Sequence, residues 1–322
     1  MASTPDRNLA LELVRVTESA AIAAARWQGR GDKINVDQAA VDAMRTMLST
    51  IDMDGIVVIG EGEKDEAPML YNGENVGNGH GPQVDVAVDP VDGTRPTARG
   101  APGALAVIAV AERGSMYEPG SLVYMDKIAV GEEAADAIDI EAPVAHNLAQ
   151  VAKAKGKDVA DVTAVILDRP RNEPYMAAVR AEGARIALIT DGDISGAIST
   201  AHARSGIDIL FGIGGSPEAV TAACAMAALR GGMQCKLWPR NDAERAYAAE
   251  AGLDLDQVIT LDDLVGTDNT FFAATGVTSG SLLKGVEFGG DFVTTHSVIM
   301  RSQSGTVRFL EGRHRTDWLD EL

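Results

Sequence analysis

Val84-Asp85-Val86-Ala87-Val88-Asp89-Pro90-Val91-Asp92-Gly93-Thr94 reads as an apolar strand over residues 84–88 that empties into two carboxylates. Pro90 removes a ladder donor and fixes φ, and Gly93 permits a close approach of backbone to a ligand. If Val91 turns into the core, Asp89 and Asp92 lie on the same side of the turn. Hard oxygen donors of this kind suit Mg2+ or Mn2+. Thr94, at the mouth of the turn, stands where a hydroxyl can hold a water molecule. Upstream, Ile56-Val57-Val58-Ile59 is a second apolar strand ending in acids, Gly60-Glu61-Gly62-Glu63-Lys64-Asp65-Glu66. A lone acidic loop is ordinarily just solvated. Two strands of one half that both end in carboxylates are harder to dismiss, because strand ends collect ligands.

Working outward, Thr4-Pro5-Asp6 is a helix start with cap, first-turn proline and early acid. Leu9, Leu13, Val16, Ala20, Ala24 and Trp27 recur at helical spacing, and Gly29 ends the run. A second helix is expected over 36–49, burying Ala40, Val41, Met44 and Leu48. Strands over 105–111 and 122–130 complete an α+β half, residues 1–142. Beyond Pro143-Val144-Ala145-His146, strands over 162–167, 185–189, 207–211 and 234–237 alternate with amphipathic helices. That rhythm predicts a mostly parallel sheet covered on both faces in an α/β half, residues 143–322. Strands return over 271–274, 294–300 and 306–309.

Composition restricts the partners. Apolar residues make up 46% of the 322, aromatics only 4%, and glycines number 34, as expected of an α/β chain with an aliphatic core. The formal net charge of −19 repels phosphate backbones and anionic membranes, so neither nucleic acid nor a membrane is expected as a partner. Cys224 and Cys235 lack metal or redox spacing and read as buried thiols. With no signal peptide or spanning segment in view, the expected location is cytoplasmic.

The GEGE and DPVDGT segments together resemble the metal-dependent, lithium-sensitive phosphatase superfamily. Longer stretches resemble one family within it, class II fructose-1,6-bisphosphatase. They include Arg15-Val16-Thr17-Glu18-Ser19-Ala20-Ala21, Gly29-Arg30-Gly31-Asp32-Lys33, and the run from Gly60 to Tyr71. Tyr124-Met125-Asp126-Lys127, Arg169-Pro170-Arg171, Asp191-Gly192-Asp193 and Gly212-Ile213-Gly214-Gly215-Ser216-Pro217-Glu218 belong to the same resemblance. It implies a layered α-β-α-β-α sandwich. It also implies metal ligands at Asp37, Glu61, Asp89, Asp92 and Glu218, with two or more Mg2+ or Mn2+ ions. Thr94 would orient the nucleophilic water, with Lys33, Glu63 and Asp65 beside the metals. Asp92, Gly93, Thr94, Tyr124, Arg169, Pro170, Arg171, Asp191, Gly192, Asp193 and Gly215 would line a sugar bisphosphate. The implied reaction is hydrolysis of the 1-phosphate of fructose 1,6-bisphosphate in gluconeogenesis, by a homo-oligomer, dimer or tetramer. The chain departs from the pattern at Asp92, where several members carry Glu, at Ala219 and at Gly103; none removes a ligand.

Plainer readings stand beside these. A single Asp on a helix, such as Asp37, is usually a surface residue, and Asp191-Gly192-Asp193 also reads as a turn capping a helix. Arg169 and Arg171 suit a second phosphate through forked hydrogen bonds, although arginines there are ordinarily solvated. His80, His146, His202, His296 and His314 show no paired spacing, and Cys224 with Met226 belongs to a core stripe. Action on sedoheptulose 1,7-bisphosphate as well is the nearest alternative. A remoter one is an NADP-dependent oxidoreductase, from the glycines Gly212 and Gly214 ahead of a helix, although Pro217 stands where the fingerprint needs glycine.

Overall fold

A computed structural model describes residues 9–62 and 69–319, with side-chain environments to residue 317. The expected helix start at Thr4-Pro5-Asp6 and the acids Glu63 and Asp65 lie outside the described residues. Along the chain run α1 (Leu9–Ala25), α2 (Lys33–Leu48), β1 (Asp54–Ile59), β2 (Asn75–Val76), β3 (Gln83–Asp92), α3 (Thr94–Arg99), β4 (Leu105–Glu112) and β5 (Tyr124–Val130). There follow α4 (Val144–Lys155), β6 (Thr163–Leu167), α5 (Glu173–Ala181), β7 (Arg185–Ile189), α6 (Ile194–Ala201), β8 (Ile209–Gly215), α7 (Ser216–Ala228) and β9 (Gly232–Leu237). The last elements are α8 (Asp242–Glu250), β10 (Ile259–Thr260), α9 (Leu261–Leu264), β11 (Phe271–Gly276), β12 (Glu287–Phe288), β13 (Phe292–Arg301), β14 (Thr306–Arg315) and α10 (Thr316–Leu319). The chain is thus mixed α/β with two mixed sheets. None of its described helices is long and apolar enough to cross a membrane.

The contacts group Met1–Ser115 with Asn269–Leu322 as one unit and Met116–Asp268 as the other, instead of dividing at 142/143. Backbone pairing explains the difference. β11 returns to pair antiparallel with β4, which carries the C-terminal strands into the first sheet. β5 lies between β8 and β9 in the second sheet, so residues just after 115 belong there.

In the first unit the sheet order is β12-β13-β11-β4-β3-β1-β2, with β14 on β13. α1 and α2 bury apolar faces in one core with it, including Leu13, Val16, Ala20, Val36, Met44 and Leu48. Burying side chains the size of Met44 or Leu48 stabilises by about 2–3 kcal/mol each. α2 starts at Lys33, ahead of its first buried apolar residue, because the Asp32 carboxylate accepts the Asn35 N–H at 3.1 Å and caps it. From that start Asp37 falls in the second turn.

β3 runs on through Asp92, past the end expected at residue 88. Asp89 opposes Val107 and Asp92 opposes Leu105, so β3 carries one extra residue there, a β-bulge. Val84, Val86 and Val88 line the core, and beyond the bulge Val91 takes that place. The parity switch puts Asp89 and Asp92 on the same, opposite face. Gly93 follows with φ at +108°, a left-handed conformation that glycine adopts without strain, and α3 begins at Thr94.

In the second unit the order is β10-β9-β5-β8-β6-β7. Only β6 pairs in parallel, with β7 and with β8; β5 is antiparallel to both neighbours. The mostly parallel sheet expected from the strand–helix rhythm is therefore corrected to a mixed one. The rhythm describes β6 to β9, but β5 arrives from before the first helix of this unit and enters the sheet in the opposite direction. Its Lys127 is buried, with Nζ donating to Asp193 Oδ1 and to the Gly215 carbonyl, each at 2.8 Å. Breaking a buried ion pair by removing one partner costs about 3–5 kcal/mol. Lys127→Met is expected to destabilise the protein by that order, read as a lower midpoint in urea unfolding. An unchanged midpoint would show the pair to be dispensable.

Candidate active site

The carboxylates of the first unit come from a helix and from two strand ends. Thr94 Oγ1, held by the Val91 carbonyl at 3.1 Å, lies 3.5 Å from Asp37 Oδ1. Burial raises the Asp37 carboxyl above its ordinary range, and the Thr94 contact offsets this only in part. Glu61 follows β1, its N–H fixed on the Leu70 carbonyl at 2.9 Å. Its carboxyl is pushed up to about 7, first by burial and then by the negative charge of Asp37. Asp89 Oδ1 accepts the Val91 N–H at 3.1 Å, and Asp92 is buried. Asp37, Glu61 and Thr94 are therefore neighbours, and Asp89 and Asp92 share one face of β3 just ahead of Thr94. Lys33 is exposed at the start of α2.

Among the described residues no three acidic, histidine or cysteine side chains close into a ready-made ion cage. The donors nonetheless fit a hard divalent cation. They are carboxylate oxygens, and the charged neighbour that acts on Glu61 is another carboxylate. Such a pair is relieved by a bound cation. The pH consequence has a definite sign. A carboxyl raised in the folded state binds more protons there than in the unfolded chain, between its ordinary value and the raised one. Stability then falls as pH rises through that window. For Glu61 the window runs from 4.5 to about 7. In EDTA, Glu61→Gln is expected to melt progressively above the parent as pH is raised from about 5 to 8. A melting difference that stays constant across that range would contradict the shift.

In the second unit the strand directions gather residues at one end of the sheet. β8, β6, β7 and β9 finish where β5 begins, with Tyr124 opposite Gly215 and Met125 opposite Leu237. Arg169 pairs with Asp191 at 3.0 Å. Arg171, held through Nε by the Ile213 carbonyl at 2.9 Å, lies 4.4 Å over the Tyr124 ring. Pro170 starts the short helical turn that joins them. Buried Asn172 fixes this turn, accepting the Ile213 N–H at 2.7 Å and donating to the Leu167 carbonyl at 2.9 Å. Gly192 follows β7, and Asp193 precedes α6 without a side-chain capping bond, its carboxylate serving Lys127 instead. Glu218, in the first turn of α7, folds back so that a Cβ at Gly215 would overlap its carboxylate. Burial raises the Glu218 carboxyl, with Lys127 opposing the shift.

Two residues of this cluster were not singled out from sequence. They are Lys127, on β5, and Asn172, in the turn after β6. A lysine within an otherwise apolar strand was the available signal for the first; a buried asparagine leaves none. Gly212 and Gly214 lie within β8, paired with Lys127 and Met125 of β5, so they form no nucleotide-binding turn at a strand end. The oxidoreductase alternative loses its only support. His314 contacts Glu18 and Thr295, and His296 lies 3.3 Å from Glu311. Both cysteines are buried thiols.

The bacterial fructose-1,6-bisphosphatase family, glpX-encoded, matches residues 7–314. Curated relatives include fructose-1,6-bisphosphatase 1 class 2 of Escherichia coli (strain K12) and fructose-1,6-bisphosphatase class 2 of Shigella flexneri. Each is 44% identical over 98% of this chain and 97% of its own length. Enzymes of this family are generally metal-dependent phosphoric monoester hydrolases. With its strand-end carboxylates and its sugar-bisphosphate substrate class, the chain belongs to the bacterial class II fructose-1,6-bisphosphatase family.

Proposed function

We propose that the chain hydrolyses the 1-phosphate of fructose 1,6-bisphosphate, releasing fructose 6-phosphate and inorganic phosphate, as a step of gluconeogenesis. The observation that carries this reading is the Asp37–Glu61 carboxylate pair beside the Thr94 hydroxyl. Asp37, Glu61, Asp89, Asp92 and Glu218 are the residues that would hold two Mg2+ or Mn2+ ions. When bound, such ions lower the pKa of water and offset charge on the leaving oxygen.

The chain's own groups do the rest. Phosphoryl transfer passes through a loose, charge-rich transition state, so positioning and electrostatics dominate. Thr94 Oγ1 orients the water in line with the 1-phosphate. Its contact with Asp37 Oδ1 fixes the hydroxyl beside a carboxylate that would hold metal, which sets the direction from which the water approaches. Arg169 and Arg171 take the distal phosphate through their remaining N–H groups, which gives a protein of net charge −19 a local cationic pocket. Asp191 and Asp193 accept sugar hydroxyls, with Gly192 and Gly215 leaving room for the ring. Lys33, Glu63 and Asp65 complete the proposed set of catalytic residues. The working assembly is a homo-oligomer, dimer or tetramer, in the cytoplasm.

The test is phosphate release from fructose 1,6-bisphosphate, sedoheptulose 1,7-bisphosphate and inositol 1-phosphate in EDTA, Mg2+ and Mn2+. Release that needs metal and is fastest from the fructose substrate supports the reading. Faster release from the seven-carbon sugar would move the chain to another pathway with the same chemistry. Release from inositol 1-phosphate alone would overturn the assignment of the arginines.

A further inference from the structure

Arg240 follows β9 and is exposed. The Trp238 N–H continues the ladder onto the Tyr124 carbonyl at 2.9 Å, and Pro239 then ends it. Arg240 thereby arrives beside the first residue of β5, at the sheet end that gathers Arg169, Arg171 and Gly215. Its guanidinium carbon lies 5.7 Å from the Tyr124 ring centroid, the ring that Arg171 also covers at 4.4 Å. Trp238 meets the same ring edge-on at 6.2 Å. The Arg240 head group is aimed by Glu244, which accepts from Nε at 2.6 Å and from the Arg240 backbone N–H at 2.7 Å. Glu244 is itself fixed at the start of α8, where Asn241 caps its N–H at 3.0 Å.

Two guanidiniums on one aromatic ring repel each other, and an anion received between them turns that repulsion into attraction. Glu244 neutralises one of them, whereas Arg171 is held by a neutral carbonyl, so the ring carries an excess of positive charge. We infer that Arg240 is a further substrate-binding residue, which joins Arg171 over Tyr124 in gripping the phosphate that is not hydrolysed. It helps select bisphosphates over sugars that carry only the reacting phosphate. Glu244 is its positioning residue. The inference rests on the reading of Tyr124 and Arg171 as substrate residues. An exposed arginine paired to a carboxylate four residues on, with no further role, would leave ligand binding untouched.

The product carries only the distal phosphate, so its binding reads this subsite without catalysis. Fructose 6-phosphate is titrated calorimetrically into the parent, Arg240→Ala and Arg240→Gln, with the same divalent ion present throughout. Fructose 1-phosphate serves as the control ligand. Loss of one charge-assisted contact to phosphate is expected to weaken fructose 6-phosphate binding about ten- to a hundredfold in both variants. Fructose 1-phosphate binding and the melting temperature should stay at the parent's values. KM for fructose 1,6-bisphosphate should rise with kcat unchanged, the pattern of a contact made equally in ground and transition states. Parent-like affinity for fructose 6-phosphate in Arg240→Gln would overturn the inference and leave the proposed function standing. A parent that binds neither phosphate ester and releases no phosphate would overturn the functional reading itself.

Discussion

Glu61→Gln and Asp89→Ala are each expected to lower phosphate release from fructose 1,6-bisphosphate by about a thousandfold or more, while the fold survives. The size follows from what a bound divalent ion supplies, several kcal/mol of charge stabilisation in the transition state, at about 1.4 kcal/mol per tenfold in rate. Glu61→Gln is the sharper of the two. It keeps the side chain's shape and removes only the charge that burial and Asp37 already disfavour. The variant should therefore be more stable than the parent in EDTA and less responsive to added metal, and still be nearly inactive. Asp89→Ala removes an acceptor from the Val91 N–H as well, so a modest loss of stability accompanies its loss of activity. Circular dichroism and melting curves with and without Mn2+ separate the two effects. Turnover within tenfold of the parent in either variant would remove these residues from the metal site.

Thr94→Ala ranks second. Its hydroxyl touches both the Val91 carbonyl and Asp37, so on the proposed reading alanine at this position removes the group that orients the water. A fall in kcat of about a hundred- to ten-thousandfold is expected, the usual range for a positioned proton-transfer group. KM should barely move, because the proposed reading places the distal phosphate on Arg169 and Arg171. Thr94→Ser keeps the hydroxyl and should recover much of the rate. A rise in KM with unchanged kcat would instead make Thr94 a binding residue.

What could be read from the residues divides along physical lines. The strand β3 was legible because a run of alternating apolar residues followed by Asp-Pro and Asp-Gly reads as a strand reaching a turn, although the bulge carries it four residues past the expected end at 88. The bulge that places Asp89 and Asp92 on one face was anticipated only as a condition on Val91. Asp37 was not legible from pattern: one acid in an amphipathic helix looks the same whether it faces solvent or a site. Only the family resemblance selected it, and the structure then set it beside Glu61 and Thr94. The partner of each strand was equally hidden. Local periodicity reports that residues 122–130 and 271–274 are extended, but pairing β5 between β8 and β9, or β11 with β4, is decided by contacts distant in sequence. That is why the contacts group the chain differently from a division at 142/143, and why the sheet is mixed and not mostly parallel. Lys127 and Asn172 escaped notice for the same reason, since their partners lie on other strands. The two-residue strands β2, β10 and β12 are too short to show a period.

The most direct measurement is hydrolysis of fructose 1,6-bisphosphate in water enriched in heavy oxygen, with Mn2+ present, followed by phosphorus NMR of both products. The expected result is fructose 6-phosphate as the sole sugar product and one heavy oxygen in each phosphate released, with no reaction once EDTA is added. Formation of fructose 1-phosphate, release of unlabelled phosphate, or undiminished turnover in EDTA would contradict attack by a metal-activated water on the 1-phosphate.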